Sequence, residues 1–342
     1  MITSKEHYAS TIGFLPIDRV PGFRIGHAQN CDALTGCTVI IAEKGAVGGV
    51  DQRGGSPGTR ETDLLRPMHM VEKANAVLLT GGSAFGLNAA SGVMQFLEEQ
   101  KMGFNTGVAR VPIVPAAVLF DLAIGDPSVR PDHKMGYEAC VNAYEGNNPD
   151  QGNFGAGCGA TVGKIFGMAG AMKSGIGHAA MEVTPGVFIG AVVAVNTFGD
   201  VVDYQTGELI AGARPVTKAG ITIGGKEKFA NTLDVMRSMT GKAIMKFASS
   251  QNTTLGVVLT NARLSKEETN KLAQMAQNGL ALALRPAHTM LDGDTIFALA
   301  AGKKAVDVNI LGSFAPLVVA QAINNAVKFA ESAGDLPAVN SF

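Results

Sequence analysis

Short β-branched runs along the chain alternate with stretches whose apolar residues recur every three or four positions. Thr38 to Ala42, Ala76 to Thr80, Val187 to Val195 and Leu255 to Thr260 are too uniformly apolar for exposed edges and read as buried strands. Between them, Ser83 to Gln100 sets Leu87, Ala90, Met94 and Leu97 at helical spacing, with Ser83 placed to cap the first turn. A second helix is expected from Ser265 to Leu284, where Ser265 and Glu268 form a capping box, each side chain satisfying a free N–H of the other residue. A third is expected from Ser313 to Glu331, with Pro316 in its first turn, where a missing N–H costs little. Asp126 to Asn153, rich in Pro, Asn, Asp and Gly, reads as a long loop or insertion. No repeat or low-complexity tract is visible, which disfavours a solenoid or propeller and leaves mixed α/β layering in one unit spanning 1–342.

Composition narrows the classes of function. With 46% hydrophobic and 17% charged residues the chain has ample material for a core, and its 43 glycines follow no period, so they signal tight turns and close backbone approach. A net charge of −1 without a run of Lys or Arg lacks the electrostatic footprint of nucleic-acid or anionic-membrane binding, and favours a small neutral or zwitterionic substrate. The opening MITSKEHYASTIGF has no basic patch followed by an apolar core, and Val187 to Val195 is far too short to span a bilayer; a cytoplasmic protein is expected. Cys31, Cys37, Cys140 and Cys158 form no CxxC and are expected as reduced thiols.

Several motifs fail when their mechanics are checked. GAGCGA from Gly155 fits GxGxxA, but a polar, turn-like Asn148 to Phe154 precedes it where a dinucleotide site needs a strand. A phosphate loop ending at Gly163-Lys164 would need glycine at Cys158 and a hydroxyl at Ile165. TGGSAFG has Phe85 where a nucleophile elbow needs its second glycine. The histidines His7, His27, His69, His133, His178 and His288 never pair at metal-ligand spacing. No cofactor and no metal are therefore expected. Asp292-Gly293-Asp294 sets two carboxylates one residue apart, an arrangement open to cation binding, capping or the orientation of catalytic groups; calcium is disfavoured because Ile296 stands where an EF-hand needs another ligand.

The polar stretch Ser249-Ser250-Gln251-Asn252-Thr253-Thr254 runs straight into the strand that begins at Leu255. If the Asn252–Thr253 bond were cut, the freed amine of Thr253, with a pKa of about 7.7 to 8, could serve as base for its own hydroxyl. By pattern alone the commoner reading is a polar loop entering a strand.

Matching blocks tilt that balance. VPGFRIGH from Val20, GVDQRGGSPGTRETDLL from Gly49, TGGSAFGLNAASGVMQFLEE from Thr80, VPIVPAAVLFDL from Val111, GAGCGATVGK from Gly155, AVVAVNTFGD from Ala191, NTTLGVVLT from Asn252 and HTMLDGDTIFALAAG from His288 run in order along nearly the whole chain. Together they resemble the L-aminopeptidase/D-esterase family of self-processing N-terminal nucleophile hydrolases, which includes the 6-aminohexanoate (nylon) oligomer hydrolases. The resemblance implies a four-layer α/β/β/α sandwich, cleavage between Asn252 and Thr253 into an α-chain 1–252 and a β-chain 253–342, and a homo-oligomer, a tetramer of processed αβ units. It implies Thr253 as nucleophile, Asn196 as oxyanion donor, Asp292 and Asp294 orienting the Thr253 amine and hydroxyl, and Lys164 as an accessory lysine whose alternative is an ordinary exposed one. Cys158 departs from the family's threonine. The implied substrate is a small amide or peptide, with no nucleic-acid or membrane partner. The rival readings are an acyltransferase of the ornithine acetyltransferase type, whose ATML-like signature is absent, and an unprocessed binding protein.

Overall fold

The computed structural model describes residues 13–146, 149–218, 220–238 and 252–341; the polar leader Ser249 to Gln251, Asn148 and the first twelve residues, with His7, lie outside them. The principal strands are β1 (Phe23–Asn30), β2 (Thr35–Gln52), β3 (Lys73–Thr80), β4 (Ala116–Val118), β5 (Ile176–Thr184), β6 (Val187–Asn196), β7 (Thr253–Arg263) and β8 (Thr295–Ala305). Among the described residues the α-helices are α1 (Ala89–Glu99), α2 (His133–Glu145), α3 (Thr232–Arg237), α4 (Lys266–Ala276), α5 (Asn278–Ala283) and α6 (Val308–Lys328).

The strands hydrogen-bond in the order β5-β6-β7-β8-β2-β3-β4, with β1 also on β2 and the short strand Thr59–Arg60 beyond β4. The 18-residue β2 joins two layers, since its first half pairs with β1 and β3 and its second half, Val47 to Gln52, pairs with β8. Alternation of side chains sorts each strand between two cores, as period-2 geometry requires. Ile40, Val77, Leu79, Val192, Ala194, Leu255, Val257, Leu259, Phe297 and Leu299 meet in one central core between the strand layers. Their neighbours Val39, Ile41, Ala76 and Leu78 face outward onto α1 and α2. Ala191, Val193, Val195, Val258, Ile296 and Ala298 face the other way, onto α4, α5 and α6. The result is the layered α/β/β/α arrangement.

Four expectations change. Asp126 to Asn153 is not all loop: Asp132 accepts the Met135 N–H at 2.9 Å and starts α2, whose buried side is only Gly136, Ala139, Cys140 and Ala143. Its polar face disguised it as a loop. The Ser83 segment opens as a 3-10 turn, Ser83–Asn88, with Ser83 itself at φ 54° and making no capping bond, before α1 begins at Ala89. The last helix starts at Val308, capped by Asp307 through the Asn309 N–H, so Pro316 lies inside it rather than in its first turn. The capping box at Ser265 and Glu268 is present, but the helix it opens ends at Ala276 and a short α5 follows. Among the described residues α6 alone is long and apolar enough to cross a bilayer, and its apolar side is packed in the core with β5 and β6.

Helices α1 and α2 touch through glycine. A Cβ on Gly92 would run into the His133 carbonyl, and one on Gly136 into the Ala89 carbonyl. Gly92→Ala should therefore cost about 1–3 kcal/mol through overpacking, despite the better helix propensity of alanine. Urea unfolding checks this, and an unchanged midpoint would show that the two helices separate freely.

Candidate active site

The site forms where β6 ends, β7 begins and the loop before β8 arrives. Antiparallel pairing puts Asn196 directly opposite Thr253. Parallel pairing of β7 with β8 aligns Leu255 with Thr295, and the same register three residues earlier bridges Asn252 to Asp292. Thr253, Asn196, Asp292 and Asp294 are thus brought to one end of the layer by strand register, and all four are buried.

With the Asn252–Thr253 peptide intact, the Thr253 hydroxyl donates to the Asn252 carbonyl in a short contact. The Gly293 N–H donates to that same oxygen at 3.0 Å. The two aspartates do not reach Thr253 itself. Asp294 accepts the Thr254 N–H at 2.8 Å, and the His288 N–H and Nδ1 at 2.9 and 3.0 Å. Asp292 accepts from the Thr289 hydroxyl and N–H and from the Phe198 N–H at 3.3 Å. Burial, followed by the neighbouring Asp294 charge, pushes Asp292 up to about 6. Both carboxylates act on the backbone around the nucleophile, through the residue after it and the loop beside it.

Lys164 is not an exposed lysine. It lies buried in a short 3-10 turn, its Nζ donating to the Asn196 side-chain oxygen at 2.7 Å and to the Asn196 carbonyl at 3.1 Å. The Asn196 side-chain oxygen also accepts the Thr161 N–H and hydroxyl, and its amide nitrogen donates to the Phe120 carbonyl at 2.8 Å. Burial pulls the Lys164 ammonium down to about 7, with the charges of Asp292 and Asp121 opposing.

Supporting residues that sequence reasoning passed over surround this group. Asp121 is buried and accepts from the Thr35 hydroxyl and the Gly82 N–H, both at 2.7 Å, while burial raises its pKa. Lys173 is fully buried and donates to the carbonyls of Gly157, Ala160 and Ser174; burial lowers it to about 7. The Arg53 to Ser56 backbone clasps the aspartate loop: the Arg53 N–H donates to Asp294 O at 3.0 Å, Gly55 N–H to Thr289 O at 3.1 Å and Ser56 N–H to Asp292 O at 2.9 Å. The consecutive Gly54 and Gly55 were the one visible signal, because a Cβ at Gly54 would collide with the Asp292 carbonyl.

A family model described as Peptidase family S58 matches residues 17–336. The chain belongs to this family. As an S58 peptidase it is a hydrolase of amide bonds. An uncharacterized aminopeptidase of Mycobacterium leprae is 40% identical, with 94% of this chain and 92% of that protein covered. A 6-aminohexanoate-oligomer endohydrolase of Kocuria sp. is 30% identical over 90% of this chain and 84% of its own length. The solved L-aminopeptidase D-Ala-esterase/amidase of Ochrobactrum anthropi, described as a variant of the Ntn hydrolase fold, superposes with a TM-score of 0.67 at 20% identity, covering 96% and 90% of the two chains. The S58 chain thus shares that fold.

The Lys164 shift has a defined pH signature. Between pH 7 and 10.5 the unfolded S58 chain carries a proton here that the folded chain lacks, so stability rises with pH across that window, by up to about 1.4 kcal/mol per unit. In a Thr253→Ala background, Lys164→Met should flatten the urea-midpoint curve between pH 7 and 9, leaving the contribution of like sign from Lys173. An unaltered slope would show that Lys164 stays protonated in the fold.

Proposed function

We propose that the chain is a self-processing N-terminal threonine hydrolase that cuts between Asn252 and Thr253 and then uses Thr253 on small amides or peptides. The observation that carries this reading is the Thr253 hydroxyl lying against the carbonyl of the preceding residue, buried at the start of a central strand. A strand-borne nucleophile is held by the sheet and wastes little motion.

In the first reaction Thr253 Oγ bonds to the Asn252 carbonyl carbon and the C–N bond breaks. The hydroxyl proton passes to the departing nitrogen, leaving an ester. Water hydrolyses that ester to the Asn252 carboxylate and a free Thr253 bearing both amine and hydroxyl. The amine, with a pKa of about 7.7 to 8 in an unperturbed terminus, then serves as base when the same oxygen attacks a substrate. An acyl-enzyme divides one difficult hydrolysis into two easier steps. Lys164, donating to the Asn196 side-chain oxygen, fixes the Asn196 side chain on the strand position paired with the nucleophile. The products, 1–252 and 253–342, would stay together because β7 is hydrogen-bonded to β6 of one piece and β8 of its own. The names of the relatives point to aminopeptidase or aminohexanoate-oligomer substrates, the latter supporting linear ω-amino amides as the first panel to test.

Purified protein should resolve into two chains, the smaller beginning Thr-Thr-Leu-Gly-Val, and Thr253→Ala should stay whole and inactive. Mass spectrometry of both decides it; scission of Thr253→Ala at the same bond would assign the cut to another nucleophile.

Asp292→Asn and Asp294→Asn should each lower turnover by about a hundredfold, since they anchor the backbone on which Thr253 is aimed and misplacement of a reacting group costs that order. Turnover is measured per mole of cleaved chain so that slow processing is not counted as slow catalysis. Near-parental kcat in both variants would reduce the carboxylates to loop caps.

A further inference from the structure

The oxygen that gains negative charge when Thr253 attacks is the Asn252 carbonyl oxygen, and the group already bonded to it at 3.0 Å is a main-chain N–H, that of Gly293. We infer that the Gly293 N–H is the oxyanion donor for scission of the Asn252–Thr253 bond, an assignment that rests on the self-processing reading above. In the attack the Oγ–C bond forms and the carbonyl π pair moves onto oxygen, where the N–H meets it; collapse returns the pair and expels the amide nitrogen, which takes up the hydroxyl proton. Only water is consumed afterwards.

Gly293 touches both reacting groups. Its N–H holds the carbonyl oxygen, and its bare Cα faces the nucleophile, since a Cβ built there would lie 2.6 Å from Thr253 Oγ and 2.6 Å from the Ser56 carbonyl oxygen. Its φ is not in the left-handed region, so space rather than backbone conformation excludes a side chain. The donor is also held in advance. On either side of it the Asp292 carbonyl accepts the Ser56 N–H and the Asp294 carbonyl accepts the Arg53 N–H. The two flanking carboxylates are tied to Thr289 and Phe198, and to Thr254 and His288. Asp292-Gly293-Asp294 is, on this geometry, a frame for a backbone donor. A donor fixed before the charge develops needs no reorganisation when it does, which is what makes such groups effective. Once Asn252 has left, a substrate carbonyl attacked by the same Oγ occupies the same place, so the N–H serves turnover as well as processing.

The test replaces Gly293 by glycolate in the full-length chain through nonsense suppression, converting one amide to an ester and deleting the N–H without adding a side chain. Cleavage of the folded precursor should slow by roughly a hundred- to a thousandfold, the usual loss for one oxyanion donor. Glycolate at Gly207, which removes an N–H bonded to Asp203 O in an exposed turn outside the site, should leave the rate close to the parent's. Gly293→Ala, which keeps the N–H but crowds Oγ, should also fail to cleave. A Gly293 ester that folds and cleaves at the parental rate overturns the inference while leaving self-processing intact; a parent chain that never cleaves sinks self-processing itself. If circular dichroism shows the ester chain unfolded, a crystal structure of the Thr253→Ala precursor decides. Gly293 N within ~3.2 Å of Asn252 O supports the assignment, and an interposed water or a gap beyond hydrogen-bond reach overturns it.

Discussion

Everything at the site hangs on the pairing of Asn196 with Thr253 across β6 and β7. Because side chains alternate along a strand, a slip of one residue would send Thr253 and Asn196 to the opposite face and bring apolar residues to the reactive end. The register is enforced far from the chemistry, by Val192, Ala194, Leu255 and Val257 in the central core and by Val193, Val195 and Val258 on the other side. Two dry cores, one on each face of the same strands, make any shift costly. The parallel partner β8 continues this register outward and sets Asp292 beside Asn252 without any contact between their side chains being needed.

The second constraint is charge in a dry place. Lys164, Lys173, Asp121, Asp292 and Asp294 are all buried near the ends of the central strands, where an unpartnered charge costs several kcal/mol. Each is surrounded by oriented partners: carbonyls around Lys173, the Asn196 oxygens around Lys164, and hydroxyl and N–H donors around the aspartates. Lowered lysines beside a raised carboxyl place several groups within reach of neutral pH at one location, the pattern that burial and close charges produce where protons are to be moved.

Glycine supplies the third. The clasp formed by Arg53 to Ser56 approaches the Asp292 to Asp294 loop so closely that Gly54 has no room for a Cβ, and Gly293 has none on the side of Thr253. Bringing backbone to backbone in this way exchanges side-chain packing for main-chain donors, whose direction is fixed by the peptide plane rather than by rotamers. The same economy of space recurs where α1 crosses α2 at Gly92 and Gly136.

By itself the sequence determined the strand cores, the layered α/β class and the capping box at Ser265, because apolar periodicity and local capping are written in neighbouring residues. The resemblance of eight ordered blocks named the family and singled out Thr253, Asn196, Lys164, Asp292 and Asp294, which the fold gathers at one place. Helix α2 is hard to read because only four small residues form its buried face, and α6 begins before the expected Ser313 because Asp307 caps it and Pro316 lies inside it. Tertiary structure alone decided that Lys164 is buried on Asn196, that the aspartates anchor Thr254, Thr289 and His288 rather than Thr253, and that Gly293 meets the Asn252 carbonyl. The Lys164–Asn196 and Asp294–Thr254 contacts join residues 32 and 40 positions apart, and the Gly293–Asn252 contact runs through backbone atoms; neither a pattern of side chains nor their spacing records which main-chain N–H will face which carbonyl.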